Sequence, residues 1–131
     1  MSAEIFVLKF VHGDAASLDQ HGLEESLARF VIDGDLSGDF ARVRFSDSTE
    51  CEIIIGRDDG AVASVMLKRF EQGDIVGVLF ELMRAQEAVV LTSDGVAVLP
   101  LASLVGELPQ ELRDTSIVAS NAMDVGQVIY G

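Results

Sequence analysis

The clearest hydrophobic pattern in the chain is a period-two alternation over residues 41–45, where Ala, Val and Phe alternate with two arginines. This period is typical of a strand with one buried face. Two further β-rich runs follow, each after a turn pair, at residues 51–55 and 61–67. The second turn, Asp59-Gly60, is of the kind that joins hairpin strands. The pattern predicts a three-stranded antiparallel meander over about 40–67.

Other strands are predicted on both sides of the meander. Residues 5–11 are apolar on both faces, which favours a central strand. Two short apolar runs flank Ser93-Asp94-Gly95 and predict a second hairpin over 88–99. A brief strand is expected at Ile117-Val118.

Helices are predicted from apolar spacing and capping residues. Asp74 is placed to cap a helix from Ile75 to about Gln86. Asp14 is placed to cap an earlier helix, which Gly22 would interrupt. The segment 23–32 fits either a helix or a strand, and its pattern leaves both open.

This order of elements has no repeating strand–helix–strand rhythm, so the predicted class is α+β. We expect an antiparallel sheet, made of the meander 40–67 and the hairpin 88–99, packed against two or three helices. The length of 131 residues predicts one compact domain over 1–131.

The charged residues predict a strongly acidic surface. The chain has 22 Asp and Glu against 9 Lys and Arg, a formal charge of −13, yet 49% of it is hydrophobic. Such a chain can bury a core and carry its acidity outside, unlike a disordered acidic tail. An acidic surface repels nucleic acid and anionic membranes and attracts basic proteins. We therefore expect a basic protein partner, with no nucleic acid and no membrane.

The expected cellular compartment follows from the cysteine content, the start of the chain and the length of its apolar stretches. Cys51 is the only cysteine, so an intrachain disulfide is excluded, and its β-rich surroundings predict a buried, unreactive thiol. The start of the chain lacks the basic and apolar segments of a secretory signal. The longest uncharged apolar stretch, 95–106, is shorter than the roughly 20 residues a membrane-spanning helix needs. A cytoplasmic protein is expected.

One short stretch resembles a known metal-binding motif. Residues 33–40 resemble the start of an EF-hand calcium loop, with Asp33, Asp35 and a serine at the first, third and fifth places and glycine at the sixth. The twelfth place, where a bidentate Glu belongs, is Arg44. An Asp- and Gly-rich turn is therefore the favoured interpretation, and no metal ligand is assigned.

No catalytic residue is predicted. His12 and His21 have no recognisable nucleophile or orienting carboxylate in sequence. The glycines lack the spacing of a phosphate loop, and one Tyr with no Trp makes no platform for bases. We expect no cofactor and a protein that is not an enzyme.

The candidate partner-binding residues are carboxylates along the meander and its turns. Strand alternation sends Glu50 and Glu52 to the face opposite Cys51. A solvated acidic face, a face that meets a basic protein, and a divalent-cation site all remain open. The eight residues are Asp33, Asp35, Asp39, Asp47, Glu50, Glu52, Asp58 and Asp59.

By charge and size alone, the chain is similar to bacterial immunity proteins and to antitoxins, toxin inhibitors that occupy a basic groove. The predicted function is therefore an acidic protein-binding module that neutralises a basic partner, such as a toxin domain. Two alternatives stay open. One is a small enzyme or ligand-binding protein with a divalent metal held by Asp33, Asp35 and Asp39; the other is an acidic subunit of a larger assembly. The sequence leaves the oligomeric state undetermined.

Overall fold

The computed structural model describes residues 4–130, and its centre is a mostly antiparallel nine-stranded sheet. The strand order is β3-β4-β5-β6-β1-β7-β8-β9, with β2 paired to the far end of β1. Only β8 and β9 pair in parallel. The strands are β1 Glu4–Val11, β2 Asp14–Ala16, β3 Val31–Asp35, β4 Phe40–Arg44, β5 Glu50–Asp58, β6 Ala61–Lys68, β7 Val89–Thr92, β8 Ala97–Leu99 and β9 Ile117–Val118.

Three helices cover one face of this sheet. They are α1 Gln20–Leu27, α2 Ile75–Gln86 and α4 Ala122–Tyr130. Their apolar residues pack on the inward positions of the strands in one hydrophobic core. Alternate strand residues such as Val7, Ile53 and Val65 are completely buried there. This burial contributes on the order of 25 cal/mol for each Å² of apolar surface removed from water.

The opposite face is covered only in part. A 3₁₀ helix, Ala102–Glu107, and the short helix α3, Gln110–Arg113, close a second core over β1, β7 and β8. Its buried members include Val89, Leu99 and Leu108.

The α+β class and the predicted sheet are confirmed. The meander occupies 40–44, 50–58 and 61–68, and the second hairpin occupies 89–92 and 97–99. The helix predicted after Asp74 runs from Ile75 to Gln86. The strand at 5–11 lies inside the sheet, between β6 and β7.

The segment 14–32 differs from its prediction. Asp14 begins strand β2 and caps no helix. The cap of α1 is Asp19, whose Oδ2 accepts a 2.8 Å hydrogen bond from the Gly22 backbone. Residues 23–32 combine both patterns: α1 ends at Leu27, a 3₁₀ turn follows at 28–30, and β3 begins at Val31.

The buried side-chain amide of Gln86 connects α2 to the start of α1. Gln86, at the end of α2, accepts a hydrogen bond from the Asp19 backbone N–H and donates one to its carbonyl, both at 2.9 Å. The backbone carbonyl of Gln86 also accepts a 2.9 Å hydrogen bond from Lys9 Nζ. A Cβ at position 22 would lie 2.7 Å from the Gln86 side-chain nitrogen, so a larger residue there would displace this amide from its hydrogen bonds. This contact explains a glycine that sequence propensity treats as a helix interruption.

None of the helices within residues 4–130 combines the length and the apolar character needed to cross a membrane.

Candidate functional site

Five of the eight predicted carboxylates lie at one end of the sheet. The turn between β3 and β4 and the turn between β5 and β6 both lie at that end, because the strands are antiparallel. The backbone N–H of Ile55 donates a 2.9 Å bond to the carbonyl of Asp39, which places the first turn beside β5. All five are exposed. We call this group the acidic end; it consists of Asp33, Asp35, Asp39, Asp58 and Asp59.

Arg57 holds the two acidic turns together. Its guanidinium donates to the carbonyls of Leu36 and Gly38 in the first turn, at 2.8–3.1 Å, and to that of Gly60 in the second, at 3.4 Å. These bonds go to backbone oxygens rather than to a carboxylate. Within residues 4–130, no ion pair involves a member of the acidic end. Its five carboxylates are therefore available to an external cation.

Local backbone bonds fix two of these carboxylates. Asp35 accepts a 2.9 Å bond from the Ser37 N–H, and Asp33 accepts one of the same length from the Gly34 N–H. The bonds from Ser37 hold the pKa of Asp35 below its ordinary value of 3.8. Asp35 is therefore ionised at neutral pH. Gly34 has a positive φ of 76°, and a Cβ there would meet the Phe40 backbone.

The other three predicted carboxylates lie elsewhere and have internal partners. Glu50 accepts from Arg44 at 3.0 and 3.1 Å near the opposite end of β5. Glu52 lies 3.8 Å from Arg42 and 3.7 Å from Arg69. The structure therefore divides the eight residues into five free carboxylates at one end and three that are engaged with their own chain.

Asp47 is engaged through the backbone. Its Oδ2 accepts a 2.9 Å bond from the Asp74 N–H, and Asp74 Oδ2 accepts a 3.1 Å bond from the Asp47 N–H. Hydrogen bonds from the Thr49 hydroxyl and backbone, followed by that from Asp74, hold the pKa of Asp47 below 3.8. This reciprocal pair fastens the β4–β5 turn to the start of α2. Asp74 stands at the predicted cap position, but its side chain makes no bond into the helix.

An apolar surface adjoins the acidic end. Ile32 of β3 is 45% exposed, next to Asp33 in the chain. A shallow groove of about 370 Å³ lies between α1 and the β3–β4 turn. Its lining combines Ala28, Val31 and Leu36 with the carboxylates Glu24 and Asp35. The site therefore offers both charge and a small apolar contact.

The EF-hand resemblance does not extend to a metal cage. Residues 33–44 form strand β3, a tight turn and strand β4, where an EF-hand would start its second helix. In the part of the chain that the structure describes, no three His, Cys, Asp or Glu residues are grouped to hold a metal ion. Residues 36–39 form a turn between two strands, as the Asp- and Gly-rich pattern predicts.

The candidate acid–base groups stand apart from one another. The His12 and His21 side chains are 85% and 78% exposed, and each lies near a single glutamate, Glu107 or Glu25. Cys51 is buried, and burial raises the pKa of its thiol to about 12.

A groove of about 610 Å³ lies between the start of α2 and α4. Its lining includes Val76, Met123 and Tyr130 but no carboxylate, histidine, lysine or arginine. Burial raises the pKa of Tyr130 to about 12, and its hydroxyl donates to the Glu71 carbonyl. This groove therefore offers no acid–base pair at neutral pH.

Sequence reasoning missed Arg57, which organises the acidic end. Arg57 and Gly38 are 19 positions apart, so nothing local in the sequence links them. Comparisons with protein-family models, with curated proteins and with solved structures each find no match to this chain.

Proposed function

We propose that the protein is a binding module that docks its acidic end on a basic partner protein. One observation carries this proposal: five exposed carboxylates lie at one end of the sheet, and none forms an internal ion pair within residues 4–130. A carboxylate already paired with arginine gains little from a second cation. Carboxylates without an internal ion pair, held on a rigid scaffold, remain able to pair with the cationic side chains of a partner.

The mechanism is electrostatic steering followed by docking. The charge of −13 raises the encounter rate with a basic surface, and the acidic end sets the orientation. Arg57 fixes both turns before the partner arrives, so little conformational entropy is lost on binding. The exposed Ile32 supplies an apolar contact beside the charges.

The proposed partner class is a basic toxin domain whose groove normally receives phosphates. In this proposal the protein acts as an immunity protein or antitoxin-like inhibitor in the cytoplasm, with carboxylates in place of phosphates. Occupying the groove blocks it without any chemical step. The carboxylates are grouped at one end of the sheet rather than along a whole face. This grouping supports an inhibitor that inserts that end into the groove of its partner.

The test uses immobilised protein and a matched pair of triple variants. The end variant is Asp39→Asn/Asp58→Asn/Asp59→Asn. The control variant is Asp94→Asn/Glu111→Gln/Asp114→Asn, which removes the same charge at exposed positions away from the acidic end. The probe is a purified basic toxin domain of the proposed class, and its association rate is measured at low and physiological salt.

The proposal expects the wild type and the control to bind alike and the end variant to associate about tenfold or more slowly. Salt should slow the wild type, because screening shortens the reach of the charges. An association rate that is independent of salt, or equal for the end and control variants, would overturn it.

A further inference from the structure

Three aspartates of the chain are followed directly by glycine, at residues 33–34, 59–60 and 94–95. An Asp-Gly sequence can rearrange without an enzyme, because the glycine amide nitrogen can attack the side-chain carboxyl carbon of the aspartate before it. Glycine leaves that nitrogen open, since it has no side chain. The nitrogen must come within about 3–3.5 Å of the carbon that it attacks. The fold therefore decides which of the three sequences reacts.

At the first sequence the two reacting groups are in contact. The backbone N–H of Gly34 donates a 2.9 Å hydrogen bond to Oδ1 of Asp33, and the carbon under attack is the one bonded to that oxygen. Both residues are exposed, so water has access for the hydrolysis that must follow. The folded protein therefore holds this nitrogen and this carboxyl group as neighbours.

The backbone around Asp33 is held by one neighbouring strand. Strand β3 is the last strand at its end of the sheet, and it pairs with β4 alone. Its register with β4 shifts between Val31 and Asp33, and an irregularity of this kind interrupts the ladder of hydrogen bonds. A rotation of the backbone at Asp33 therefore disturbs pairing on one side only.

The other two Asp-Gly sequences are held in different arrangements. The N–H of Gly95 donates a 3.0 Å bond to the Thr92 carbonyl, so it is directed at the backbone rather than at the Asp94 carboxylate. Asp59 and Gly60 form the two-residue turn between β5 and β6, both with positive φ, and paired strand residues flank them on each side. In the part of the chain that the structure describes, neither glycine N–H bonds to the carboxylate before it.

We propose that Asp33 is a site of spontaneous isoaspartate formation in the folded protein. The Gly34 nitrogen forms a bond to Cγ of Asp33, and the protonated carboxyl group loses its hydroxyl, which leaves with the amide proton as one water. Water then opens the resulting succinimide ring at either carbonyl. Opening at Cγ restores aspartate. Opening at the backbone carbonyl carbon gives isoaspartate, in which the chain runs through Cγ.

The product keeps the charge and the mass of the chain but changes strand β3. The former backbone carboxyl becomes the side-chain carboxylate, and the backbone gains one methylene group. Residues 34 and 35 then lose their register with Ala41 and Phe40. Isoaspartate therefore loosens the end of β3 and moves a carboxylate of the acidic end without removing it. This chemistry does not depend on the function proposed for that end.

The test measures isoaspartate at the three Asp-Gly sequences of the full chain. The protein is incubated at body temperature and mildly acidic pH, where a fraction of exposed carboxyl groups is protonated. Peptide digestion and electron-transfer fragmentation then identify isoaspartate at each position. In native buffer we expect residue 33 to convert about tenfold or more faster than residues 59 and 94, because only the first pair starts in contact. In guanidinium chloride, where the fold is lost, the three rates should become similar.

Two matched variants test the same assignment through the total isoaspartate content of the aged protein. Asp33→Glu keeps the charge but would need a larger ring to react, so it should remove most of the isoaspartate. Asp94→Glu is the control, and it should leave the total almost unchanged. Equal losses in the two variants would overturn the proposal. So would a rate at residue 33 that is no higher than at residue 94 in native buffer, or a ratio of these rates that guanidinium chloride leaves unchanged.

Discussion

At the scale of single residues, Asp47 links two elements through its side chain. Its carboxylate accepts from the Thr49 hydroxyl at 2.5 Å and N–H at 3.0 Å, and from the Asp74 N–H at 2.9 Å, so it joins a turn of the sheet to α2. These bonds lower its pKa below the ordinary 3.8. The folded protein therefore holds this proton less tightly than the unfolded chain does.

The lowered pKa of Asp47 sets the sign of the pH dependence of stability. The stabilisation from Asp47 is fully present above its ordinary pKa and is lost as the pH falls through the lower folded-state pKa. Urea unfolding of the wild type and Asp47→Asn should show a constant difference in midpoint above about pH 5 that narrows below about pH 4. A difference that grows on acidification would contradict this assignment.

Cys51 gives a second residue-scale prediction. Burial raises its thiol pKa to about 12, so only about one molecule in ten thousand carries the thiolate at pH 8. We expect no reaction with iodoacetamide in native buffer and complete reaction in denaturant, followed by mass spectrometry. Labelling of the native protein at the rate of a free cysteine would show that β5 opens readily.

At the scale of elements, Gln86 joins α1, α2 and β1. It is the one buried polar side chain described, at 6% exposure, and its amide makes two bonds to the Asp19 backbone. Gln86→Ala removes both bonds, and we expect the free energy of unfolding to fall by about 1–2 kcal/mol. Gln127→Ala, on the exposed side of α4, is the control and should change it by less than about 0.5 kcal/mol. Equal losses in the two variants would contradict the role assigned to Gln86.

Elements with a local signature were predictable, and elements made by distant contacts were not. The meander and α2 follow from side-chain alternation, turn pairs and helical spacing, all within about ten residues. The prediction for the α1 segment was wrong because Gly22 weakens the helix signal, while the Gln86 amide that packs against this glycine lies 64 positions away. Likewise, Val31 and Ile32 suit either structure locally, and the pairing of Val31 with Val43 decides for a strand.

At the scale of the whole molecule, the charge of −13 is distributed unevenly. The acidic end holds five carboxylates without an ion pair in the described chain, whereas four of the nine basic residues, Arg42, Arg44, Lys68 and Arg69, lie near Glu4, Glu50 and Glu52. The acidic end is the surface that we propose meets a basic partner.

The sequence identified the acidic candidates but not their grouping. Linear clustering placed Asp47, Glu50 and Glu52 with the other five, because all eight fall within 27 consecutive residues. Strand reversal separates them, and cross-strand arginines engage the two glutamates.

The central claim is that the acidic end is the cation-docking surface, and an amide-resolved NMR titration with a deca-lysine peptide tests it most directly. We predict that chemical-shift changes concentrate in residues 33–39 and 57–60 and disappear as salt is raised. Changes spread evenly over all exposed carboxylates, or centred on Asp47 and Glu50, would contradict the claim.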